Sequence, residues 1–234
     1  MDPTAVFRAE VAGIELMRPN NLLSNLLVVA WCAFLAWKLV KEVPQKSQAR
    51  AAWVQFFVWT AYAALVGGIA HAFNYGFPAV RHTPWHKIAW IGGGLSMFFL
   101  AWTAAETSIP TRFRRIIQGL QAIQMLIFAS ATLWSIFNPI QGVNAFVIPR
   151  THIGVSLLVW VLPIHLYSAW RGGPTGWQWL FAALLALATT VPFYNANYTP
   201  VPWFDYNDIS HLIEMVAIYC FFRAAKKTLG EVGR

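Results

Sequence analysis

Charge is what this chain has least of. Only 11% of its 234 residues are charged, where about a quarter is usual in a soluble globular domain, and just 9 are acidic. That shortage excludes a solvated globular surface, and with 58% of residues apolar it points to a polytopic membrane protein. Cysteine is nearly absent as well. Cys32 and Cys220 both sit inside apolar runs, without metal-type spacing or the numbers for a disulfide framework. They read as buried free thiols acting as small hydrophobes. A basic start followed by an apolar stretch is missing from residues 1–20, so no cleavable signal peptide is expected. Phe7, Val11 and Ile14 instead recur at helical spacing between Arg8, Glu10 and Glu15. This suggests a short interfacial helix or a flexible tail over residues 1–20.

What is present is apolar length. A membrane span takes about 20 mostly apolar residues. Seven candidates run at 21–40, 52–73, 87–106, 116–137, 151–170, 177–193 and 209–225, the sixth short and ended by Pro192. The expected fold is an all-α, seven-transmembrane bundle over 21–228, followed by a tail at 229–234. Connections such as "TSIPTRFRR" and "RGGPTG" carry turn-forming residues and leave no room for a second domain. Lys38, Lys41, Lys46, Arg50, Arg112, Arg114, Arg115, Arg171, Arg223, Lys226, Lys227 and Arg234 fall on one side of these spans. Arg8, Arg18, Arg81, Lys87 and Arg150 fall on the other. Basic residues favour the cytoplasmic side, so the C-terminus is expected in the cytoplasm and the N-terminus outside. Topology thereby accounts for the net charge of +8, and no nucleic-acid partner is expected.

Direction gives each histidine a depth. His71 ends the second span, His82 and His86 follow it, His152 opens the fifth span and His211 the seventh, all towards the outer side. Only His165 lies deep, about 20 Å along its span at 1.5 Å per residue. The segment "FDYNDISHLIEM" adds Asp205, Asp208 and Glu214 at that same side. Asp208 and His211 are three apart and share a helix face, with Glu214 one turn further in. Ionisable groups at such depth are functional candidates by default. The plainer alternative makes Asp208 a helix cap and leaves His211 and Glu214 hydrogen-bonding to neighbouring helices. Gly67, Gly68 and the run Gly92 to Gly94 fit close helix packing, or a cavity beside His71. Gln118, Gln121 and Gln124 read as interhelical hydrogen-bonders, and Arg112 or Arg114 as partner of Glu106. Asn197 begins a glycosylation sequon.

The patterns "GGIAHAF" and "NDISHLIEM", in a seven-span chain with an outside N-terminus, resemble the alkaline ceramidase and progestin–adiponectin receptor superfamily of membrane proteins. That resemblance implies a bundle holding zinc, here through His71 and His211, with Asp208 or Glu214 as third ligand. Tyr219 fits the alignment. The chain departs from the pattern where Gly67 replaces a serine, Asn207 replaces a histidine and the helix-three aspartate has no counterpart, His82 or His86 being nearest. The likeness is closest to bacterial members, implying a multi-pass protein of the bacterial inner membrane.

Two functional readings follow. One is a non-enzymatic integral membrane protein, either a subunit beside other membrane subunits or a binder of lipid or cofactor at an outer-face His/Asp/Glu site, with haem or pigment left open. The alternative, carried by the resemblance, is a zinc-dependent lipid amide or ester hydrolase. There His71, Asp208 and His211 hold the metal and Glu214 and His86 serve as catalytic acid–base groups. Membrane lipids are the expected surroundings in both.

Overall fold

The computed structural model describes residues 8–11, 13–73, 84–138, 147–173, 176–201 and 203–232. It opens with a short antiparallel hairpin, β1 (Arg8–Val11) paired with β2 (Ile14–Met17), Val11 facing Ile14 across the turn. The interfacial helix anticipated there is not what forms. Gly13 turns the chain at φ 78°, a left-handed conformation glycine adopts without steric cost.

The described residues after the hairpin are mostly helical. α1 (Pro19–Glu42), α2 (Gln48–Ala72), α3 (Pro84–Ser108) and α4 (Thr111–Phe137) are unbroken rods. The next rod comprises α5 (Val147–Val155), a π segment (Ser156–Val161) and α6 (Leu162–Trp170). α7 (Trp177–Ala188) and α8 (Thr190–Asn195) follow, then α9 (Tyr206–Val232). Six of these rods are long and apolar enough to cross a bilayer, so the chain is a multi-pass integral membrane protein. α9 is as long, but His211, Glu214 and Arg223 interrupt its apolar run.

The surface is apolar where a soluble protein would be charged. Leu126 and Ile127 on α4 stay 66% and 65% exposed, as residues facing lipid chains do. The inside is aromatic and tightly filled. Trp53, Phe56 and Phe57 of α2 are buried against Phe221 and Phe222 of α9, with the Phe56 and Phe221 rings 5.2 Å apart edge to face. α9 thus buries Ala217, Ile218, Ala224 and Ala225, while Leu212, Val216 and Tyr219 stay exposed on its other face.

Two rods carry defects with identifiable causes. Pro163 cannot donate a backbone hydrogen bond, and the ladder ahead of it widens so that the Leu162 N–H donates to the Leu157 carbonyl. Pro192 was expected to end the sixth span, but the helix continues past it to Asn195 and breaks earlier, at Thr189. A proline offends the carbonyl four residues back, here Ala188, so the disruption falls one turn before the ring. The Thr189 and Thr190 hydroxyls donate to the carbonyls of Ala186 and Leu187, 2.6 and 2.7 Å away, beside the break.

Candidate functional site

Successive rods alternate in direction, so the end of α2 and the starts of α1, α3, α5 and α9 meet at one end of the bundle. A cavity of about 330 Å³ opens among them. His71, His86, His211 and Glu214 all line it, together with Asn25, Thr60, Ser96 and His152. Phe56, Phe128 and Phe221 supply aromatic walls, and no Lys or Arg lines it among the described residues.

The His71 and His86 rings sit edge to face, 4.9 Å between centroids, and join the end of α2 to the start of α3. His82 lies outside the described residues. The glycines divide by role. A Cβ on Gly68 would come within 2.8 Å of Asn25 Cβ, and one on Gly94 within 2.1 Å of the Phe128 ring, so these two let helices approach. Gly67 and Gly93 line the cavity and would meet nothing closer than 3.8 Å. Their missing side chains leave its space open.

Asp208 is not in the cavity. It is 1% exposed and completes a capping box with Asp205. Asp205 Oδ1 accepts from the Asn207 and Asp208 N–H groups at 2.8 and 3.3 Å, while Asp208 Oδ2 accepts from the Asp205 N–H at 3.1 Å. The remaining capacity of Asp208 is spent on α1, where Ser24 Oγ lies 2.7 Å from Oδ1 and Asn21 Nδ2 lies 3.2 Å from Oδ2. Asn207 is also turned towards Asp205.

This arrangement orients His211. Its Nδ1 is 2.8 Å from Ser24 Oγ. The serine hydroxyl has one proton, and its shorter, charge-assisted contact is with the Asp208 carboxylate. Ser24 therefore accepts from His211 Nδ1–H, which leaves Nε2 as an acceptor with no hydrogen bond among the described residues. Glu214, one turn further along α9, likewise makes no hydrogen bond or ion pair among them.

His152 is differently employed. Nε2–H donates to the Gly94 carbonyl at 3.2 Å, so Nδ1 accepts from Gln124 Nε2, also at 3.2 Å. The ring stacks on Phe128 at 4.2 Å between centroids. With both nitrogens committed it fastens α5 to α3 and α4, and the Gln124 amide extends the clasp to Ser156 of the π segment. Arg114 pairs with Glu106 at 2.8 Å, at the opposite end of the bundle.

The zinc set read from the sequence is not assembled. Among the described residues no group of three His, Cys, Asp or Glu side chains is placed to hold a metal ion. Asp208, expected as third ligand, has both oxygens bound to the cap and to α1. Sequence reasoning also passed over Asn21, Ser24 and Asn25. The run "NNLLSN" opens the first span with polar groups at i, i+3 and i+4, the same one-face spacing that drew attention to α9.

No curated protein and no solved structure matches this chain. A family model does match, across residues 21–229 and so nearly the whole length, and the chain belongs to that family, described as a family of unknown function (DUF6962).

Proposed function

We propose that this is a seven-span, non-enzymatic membrane protein that binds a small molecule in the cavity at the outer ends of its helices. The N-terminus is outside and the C-terminus cytoplasmic, in keeping with the bias of Lys and Arg, and α9 is the seventh span. One observation carries the binding reading: a half-open space of about 330 Å³ into which Glu214 and His211 offer polar groups that no other described residue uses. A native interior pairs nearly all such groups, and one left open in a cavity invites a ligand. The volume is at the small end of ligand pockets, which favours a compact molecule over a tetrapyrrole or an intact lipid.

The hydrolase alternative needs a metal held by His71, His211 and a carboxylate. Asp208 is committed to its cap and no three-residue group is in place among the described residues, so the reading loses its chemical centre. Mass spectrometry of the intact protein, released from detergent without denaturation, tests the choice. A small co-purifying adduct is expected, absent from a Gly93→Leu variant in which the cavity is filled. Elemental analysis of the same sample should find far less than one zinc per chain. Stoichiometric zinc that disappears in His211→Ala would reinstate the hydrolase.

A further inference from the structure

The chemistry of the cavity also selects its occupant, an inference that rests on the binding reading above. Its open groups are both acceptors. Glu214 contributes a carboxyl without an internal partner, and the Asp208–Ser24–His211 chain turns the lone pair of His211 Nε2 to the free side. The two residues are three apart on α9, about 4.5 Å along the axis and on one face. Among the described residues no Lys or Arg lines the space, so an anionic ligand would face a carboxyl with no cation from them to balance it. A bare metal ion is poorly served, since no three His, Cys, Asp or Glu side chains among the described residues are placed to hold one, and Phe56, Phe128, Phe221, Met97 and Ile218 stand among the walls. Aromatic faces do suit an organic cation, whose charge the ring quadrupole attracts.

We propose that the cavity binds a small organic ammonium. Its charge rests on Glu214, a second N–H is given to His211 Nε2, and its apolar body lies against the phenylalanines. The group must carry N–H donors, because His211 Nε2 can only accept one. Ser24 and Asp208 act as positioning residues, since they touch His211 and not the ligand.

Binding of three matched molecules to the detergent-purified full chain, by calorimetry and thermal shift, tests this. Benzylamine is cationic, benzyl alcohol neutral and benzoate anionic, on the same ring. Benzylamine should bind and raise the melting temperature with concentration, and Glu214→Gln should weaken it by roughly tenfold or more while the variant stays folded. Ser24→Ala should weaken benzylamine less, and Gly93→Leu should abolish it. Equal binding of benzylamine and benzyl alcohol, tighter benzoate, or an unchanged affinity in Glu214→Gln overturns the ammonium assignment. If Gly93→Leu still removes that binding, the cavity reading survives alone. Failure of all three molecules to bind overturns both.

Discussion

Glu214 makes no hydrogen bond or ion pair among the described residues, a state it shares with the fully buried His165, whose two ring nitrogens have no partner among them. A carboxyl in a low-dielectric interior costs free energy unless it is paired. Replacing it with the isosteric, neutral Gln should leave the melting temperature of the ligand-free protein unchanged or higher, and a clear fall would show that the carboxyl has a structural partner. Ser24 is the opposite case. It bridges Asp208 and His211 at 2.7 and 2.8 Å, so Ser24→Ala strands two polar groups and should lower stability by about 1–3 kcal/mol in detergent unfolding. These residues also mark how far sequence could see. His71, His211 and Glu214 were recognisable because depth along a helix is simple arithmetic and each stands out in an apolar run. Ser24 was overlooked because serine is unremarkable in a membrane helix, and what makes it matter lies 184 and 187 positions away.

The elements were easier to read than their defects. Hydropathy is a local property, so spans of about 20 apolar residues declare themselves whatever packs on them. The two breaks depend on backbone geometry upstream of each proline, which is why residue type placed one of them a turn too late. Likewise the glycines of α2 and α3 look alike in sequence and differ only by what crosses them. Gly94 lies under the Phe128 ring, whereas Gly93 meets nothing within 4 Å. Gly94→Ala should therefore cost about 1–3 kcal/mol through overpacking, because the ring that must move is itself stacked on His152. Gly93→Ala should be neutral or slightly stabilising, since alanine is the better helix former. Parallel thermal unfolding of both variants checks the pair. Equal losses would mean that Gly93 is also at a helix contact and that the cavity is narrower than the structure shows.

At the scale of the molecule, the bundle separates its chemistry by end. One end gathers His71, His86, His211 and Glu214 around a cavity, with Asp205 and Asp208 capping α9 nearby. The other carries the Glu106–Arg114 pair, with Gln118 donating to Glu106, and the Glu42 contacts with Lys38 and Lys226. That second end holds most of the Lys and Arg, so in the proposed orientation it faces the cytoplasm and the cavity lies on the far side. A small cation would then reach Glu214 from outside the cell without crossing the bilayer. The orientation can be read directly, because Cys32 and Cys220 are both buried and give little background to a thiol reagent. Single cysteines introduced at Thr199 and at Lys46, in intact cells expressing the chain, should respond oppositely to a membrane-impermeant maleimide. Thr199→Cys should label before lysis and Lys46→Cys only after it. The reverse order would invert the bundle and turn the cavity to the cytoplasm. The ammonium would then have to come from inside the cell, while the pairing of Glu214 with it would stand unchanged.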